Sequence, residues 1–145
     1  MEEQLSLLAP ATARRQAFET APQQIAILAN QRVRDQVASL IQTLKEMEDK
    51  PDAFAGLQTA WVAGDVGWIE REALTPMRQE SPRLYETLVV QRNRRWVAQI
   101  ERLLKGEGSE GRERRIVVVV GVGHLVGPES VPLLLKRRGF TVEGP

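Results

Sequence analysis

Apolar residues along this chain recur mostly three and four positions apart. Ile25 and Leu28 share one such face, and Val33, Val37, Leu40, Ile41, Leu44 and Met47 continue the spacing, which predicts amphipathic helix. Pro22 suits a first helical position, and Thr20 is a chemically better cap before it than Ala21. Asn30 either breaks this stretch into two helices or is simply exposed. Charge and proline end it over Glu48 to Pro51. A short helix over Glu2 to Leu8 comes before, closed by Pro10, and Thr12 to Thr20 is mixed and polar.

Asp52 caps a helix whose stripe is Phe54, Leu57, Ala60 and Trp61, with Gly64 placed to close it. Asp65 caps the next, carrying Val66, Ile69 and Leu74, and Pro76 is expected to stop it. Ala60 to Asp65 thus reads as a tight corner with a buried tryptophan. Ser81 and Pro82 open a long helix reaching about Lys105, with Tyr85, Leu88, Val89, Trp96, Ile100, Leu103 and Leu104 on its buried face.

After the polar loop Gly106 to Gly111 the pattern changes. Ile116 to Val120 is uniformly β-branched and apolar, which predicts a central strand buried on both faces and parallel to its neighbours. Gly121 and Gly123 then allow a sharp turn or a close approach. His124 follows just beyond the carboxyl end of the strand, the edge where ligands gather in open α/β sheets. Gly127 and Pro128 predict the start of a helix through Val131, Leu133, Leu134 and Leu135, ended by Gly139, and Phe140 to Glu143 a second strand. The expected fold is α/β and predominantly helical: five to seven helices around a small C-terminal strand–helix–strand unit. Residues 1–105 would be the helical region and 112–145 that unit, in one domain. Two parallel strands are not a stable sheet, so the unit is expected to belong to a larger sheet or to be completed by dimerisation.

The 145 residues suit one domain, and a net charge of +1 with both signs interspersed gives no reason to expect nucleic acid as a partner. Arg112 with Arg114 and Arg115, and Lys136 with Arg137 and Arg138, lack interleaved aromatics and read as solvated edges. Without cysteine there is no disulfide, thiolate metal site or cysteine nucleophile. No apolar run approaches a membrane span, and Met-Glu-Glu-Gln-Leu lacks a signal peptide's basic start and apolar middle.

The candidate chemistry is sparse. His124, the only histidine, is either a reacting group or an ordinary polar residue at a strand end. The dipole of a helix starting near Pro128 should lower its pKa and keep it neutral, the form that binds metal or acts as a base. Arg92 and Asn93 interrupt the apolar stripe of the long helix. Unpaired burial would cost several kcal/mol, so either Arg92 snorkels outward or the two line a polar cavity. One histidine is too few for a hydrolytic metal site, which usually wants about three protein ligands.

The wording at Gly121 to Pro128, G-V-G-H-L-V-G-P, followed by V-P-L-L-L-K-R-R-G-F-T-V, closely resembles the C-terminal signature of the TraB/GumN family, related to the Tiki proteases. Q-R-N-R-R-W-V-A-Q-I-E-R-L-L resembles that family's arginine–asparagine helix, A-W-V-A-G-D its tryptophan–glycine–aspartate corner, and E-T-A-P-Q-Q-I-A-I-L, from Glu19, its glutamate–threonine–glutamine helix. The resemblance implies a sheet-centred fold and a metal-dependent hydrolase or peptidase. His124 would be a catalytic ligand for manganese, cobalt or zinc, Gly121 and Gly123 would be cofactor-binding residues of the motif beside it, and Arg92 and Asn93 would serve catalysis by orienting substrate or stabilising negative charge. The family pairs two G-x-x-H motifs. Gly121 to His124 matches the second, the first is absent, and Gln91 stands where relatives often have glutamate. The chain therefore resembles the C-terminal half of such a protein, expected to be inactive alone and to need its N-terminal half or a second copy. The alternative is a non-catalytic interaction module, self-associating through a sheet edge or its helices and linked, as GumN relatives are, to exopolysaccharide production. Full bacterial relatives often carry an export signal.

Overall fold

The structure, a computed structural model, describes residues 2–106 and 115–144. The basic residues Arg112 and Arg114 and most of the glycine loop lie outside the described residues. Helices dominate: α1 (Glu2–Leu8), α2 (Ala21–Ala29), α3 (Val33–Asp49), α4 (Ala53–Ala63), α5 (66–80), α6 (82–104) and α7 (Val131–Arg137).

Most of the predicted helix ends are found. Thr20 caps α2 in a reciprocal capping box, its hydroxyl accepting from Gln23 N while Gln23 Oε1 accepts from Thr20 N. Asn30 does mark a break. Gly64 closes α4 in the left-handed conformation at φ 71°, and the Asp65 carboxylate accepts from Trp68 N at 2.8 Å to open α5.

Pro76 does not stop α5. The turn Glu70–Leu74 is a wide π turn, in which Thr75 N–H reaches the carbonyl of Glu70. A proline ring collides with the carbonyl four residues back, and widening the turn just ahead of it relieves that collision. A second π turn, Glu86–Val90, lies within α6. The extra residue keeps Tyr85, Val89 and Val90 on the same buried side as Asn93, Trp96, Val97 and Ile100. The corner tryptophan Trp61 is exposed rather than buried, and Trp68 packs on the corner core of Ala60, Ile69, Leu74 and Val126.

The expected α/β fold is not found. Among the described residues there is no strand and no sheet, so the strand–helix–strand unit over 112–145 is absent. Ile116 to Val120 carries no regular structure, because a strand exists only when a neighbour pairs with its backbone, and residues 140–143 do not approach as one. The β-branched run is therefore not buried. Val117 is 81% exposed, and Val120, at the far end, packs on a cluster of Trp96, Val97, Ile100 and Val131. The helix expected from Pro128 begins later, at Val131, with Ser130 in the cap position and Pro132 in its first turn. The core thus lies along α6, α5 with the end of α4, and the segment 120–135, while α2 and α3 sit at the periphery.

Candidate functional site

His124 ends a short 3₁₀ turn, Val122–His124, in which His124 N–H donates to the carbonyl of Gly121 and Leu125 N–H to that of Val122, each at 2.9 Å. Neither Gly121 nor Gly123 has positive φ, and a methyl on Gly123 would meet Leu74 at an ordinary 3.5 Å. Gly127, at φ +86°, is the glycine this loop requires. It turns the chain so that the carbonyl of Glu129 faces α6.

Asn93, fully buried on α6, joins loop to helix. Its Nδ2 donates to the carbonyl of Glu129 at 2.7 Å. That leaves Oδ1 to face His124 Nδ1 at 2.6 Å. An amide oxygen only accepts, so the imidazole carries its proton on Nδ1 and its lone pair on Nε2. Nε2 in turn faces Arg92 Nη1 at 3.4 Å. Arg92 is held from the other side by Glu19, with Nε donating to the carboxylate at 3.0 and 3.1 Å and Nη2 at 2.9 Å. Nη1 also donates to the carbonyl of Leu88. The Glu19 side chain is only 7% exposed, so this is an ion pair largely out of water. Trp96 walls the group: Phe18 stacks on it at 5.5 Å, the His124 ring lies against it at 4.4 Å, and the Arg92 guanidinium sits 4.7 Å over its face. Trp96 Nε1 is buried without an acceptor among the described residues.

The His124 pKa falls from 6.5 to about 4, because burial disfavours the charged ring and the Arg92 cation opposes it, with Glu19 acting weakly the other way. A neutral ring was expected, but the cause is not the dipole of a helix at Pro128, since none starts there. The three candidates Arg92, Asn93 and His124 therefore meet in one chain of contacts. Glu19, absent from the candidates, completes it. The signal was available: an acidic residue directly before a strong helix cap, where the stretch resembling the glutamate–threonine–glutamine helix begins.

A metal held by His124, as the resemblance implies, does not fit these residues. The one lone pair on the ring points at a guanidinium, so a bound cation would lie against a fixed positive charge. The Glu19 carboxylate is already engaged by that same guanidinium. Among the described residues, no three histidine, aspartate or glutamate side chains cluster as a metal would need. The groove of about 590 Å³ between α2, the start of α3 and α6 is lined by Gln91, Arg83 and Asn30 but not by His124.

Fold and site together define a helical protein with a part-buried imidazole–amide–guanidinium–carboxylate chain fastening its C-terminal loop. The model of the TraB/PrgY/gumN family matches residues 1–144, and the chain belongs to that family. No curated protein and no solved structure matches it. No helix among the described residues is long and apolar enough to cross a membrane.

Proposed function

We propose that this chain is an interaction module of the TraB/PrgY/gumN family, one that binds a protein partner and does not by itself carry out metal-dependent hydrolysis. The observation that carries the reading is surface. A compact monomer of 16.3 kDa exposes about 7,500 Å², and this chain exposes 11041 Å². Large apolar side chains contribute to it, with Leu8, Ile25, Leu40, Phe54 and Val62 all more than half exposed. Where such residues line one helix face, as along α3, they are the kind of surface on which a partner docks. The part-buried chain from Glu19 to Asn93 supports a scaffold role, holding the segment 120–130 against α6. The exopolysaccharide setting implied by the resemblance would supply a context for such a partner and no reaction.

A second reading, a hydrolase half-site, is favoured by the convergence of Arg92, Asn93 and His124. It requires a partner to draw Arg92 off Nε2, after which the neutral ring would be free to act as ligand or base. Metal content tests both. The chain is stripped with chelator, exposed in turn to manganese, cobalt and zinc, desalted and measured by plasma mass spectrometry beside His124→Ala. No retained metal in either protein is expected. Stoichiometric metal that disappears in His124→Ala would overturn the interaction reading in favour of the half-site.

A further inference from the structure

We propose that the partner is a second copy of this chain, and that two α3 helices pair antiparallel along the seam Val33, Val37, Leu40, Leu44 and Met47. This rests on the interaction reading above and names its partner.

The seam follows from the sequence. These five residues are spaced four, three, four and three apart, the 3.5-residue repeat of a coiled coil, with Ile41 flanking them on one side. In the structure all five are half or more exposed, from 50% at Val37 to 75% at Val33. The helix is turned the other way round from a normal surface helix. Its inner face is Asp35, Ser39 and Gln42, the half-buried positions. Asp35 meets Arg83 at 3.9 Å, and the Gln42 amide donates to the Glu80 carboxylate. A helix that ties its polar face to its own body and offers its apolar seam to solvent is shaped for a helix from elsewhere.

Charge identifies which helix. Arg32 and Arg34 stand at the N-terminus of α3, and Glu46, Glu48 and Asp49 fill its last turn, with no basic residue there. The acidic last turn runs against the helix dipole, which favours bases at that end, while at the start Asp35 offsets only one of the two arginines. An antiparallel second copy answers the acidic end, bringing the net-basic start of its own helix to it. The flanking positions agree. Arg34, Ile41 and Glu48 are seven apart on one side of the seam, so a two-fold axis near Ile41 sets Arg34 of each copy beside Glu48 of the other. With Ile41 included, the exposed seam amounts to roughly 600 Å² per copy, so the pair would bury about 1,200 Å², the lower bound of a standard interface.

Sedimentation equilibrium on the full chain at micromolar concentration tests this. The expected mass is twice the 16.3 kDa of one chain. Leu40→Glu with Leu44→Glu should weaken the dimer at least about a hundredfold while leaving the helical circular dichroism unchanged, since both side chains are exposed. Arg34→Glu alone should weaken it about tenfold by setting acids opposite acids, and adding Glu48→Arg should restore it. A wild-type monomer would overturn the second copy as partner; the interaction reading would then stand or fall on the metal measurement. A dimer unmoved by the Leu40 and Leu44 changes would place self-association elsewhere and overturn the seam. Failure of Glu48→Arg to rescue Arg34→Glu would overturn the antiparallel register.

Discussion

Lowering the pH across the His124 transition perturbs the site without a mutation. The ring titrates at about 4 in the folded protein and at 6.5 when free of its surroundings. Between those values the unfolded chain takes up a proton that the folded chain refuses, so folding loses ground as pH falls. The contribution is fully present above pH 6.5 and is progressively lost as the pH drops through about 4. At face value the displacement is worth about 3 kcal/mol. Because the ring is only partly buried, solvent screening reduces the expected effect to about 1–2 kcal/mol. With a single histidine in the chain, the Hε1 proton resonance reports the site without assignment. Its midpoint should lie near 4, and a long-range nitrogen correlation should show Nδ1 protonated and Nε2 bare. Urea unfolding followed by tryptophan fluorescence, compared between neutral pH and about pH 4.5, should show the wild type losing about 1–2 kcal/mol more than His124→Gln. A midpoint close to 6.5, or a proton on Nε2, would refute the arrangement of Asn93 and Arg92 around the ring.

Three further outcomes follow from the same network. Asn93→Leu, close in volume, leaves both His124 Nδ1–H and the Glu129 carbonyl unpaired in a buried place; urea denaturation should show about 2–4 kcal/mol less stability, lying below the sum of two orphaned groups because leucine buries well. Glu19→Gln strips the charge that holds Arg92 and should cost about 2–4 kcal/mol, and with its upward pull on His124 removed the ring midpoint should fall below that of the wild type. Gly127→Ala should lower stability by about 1–2 kcal/mol in thermal denaturation, because φ +86° is open to glycine and strained for alanine; Gly123→Ala, with ordinary backbone and an ordinary contact to Leu74, should cost less.

Local chemistry determined a good part of this protein. The capping box of Thr20 and Gln23, the left-handed close at Gly64 and the cap at Asp65 each depend on residues within a turn of one another, so the sequence displays them directly. Arg92 and Asn93 could be singled out because polar groups on an apolar stripe demand partners. Tertiary structure decided what local pattern does not contain. Ile116 to Val120 has a strand's composition, but a strand is a relation between two backbones, and among the described residues none pairs with it. Pro76 carries a helix-stop signal that holds for an α turn, and a π turn ahead of it removes the collision. Which nitrogen of His124 bears the proton, and why its pKa falls, depend on Asn93, Arg92 and Glu19. These lie 31, 32 and 105 residues away along the chain, and only the folding of α6 beneath the loop and of the α2 cap beside it brings their charges and lone pairs within a few ångströms.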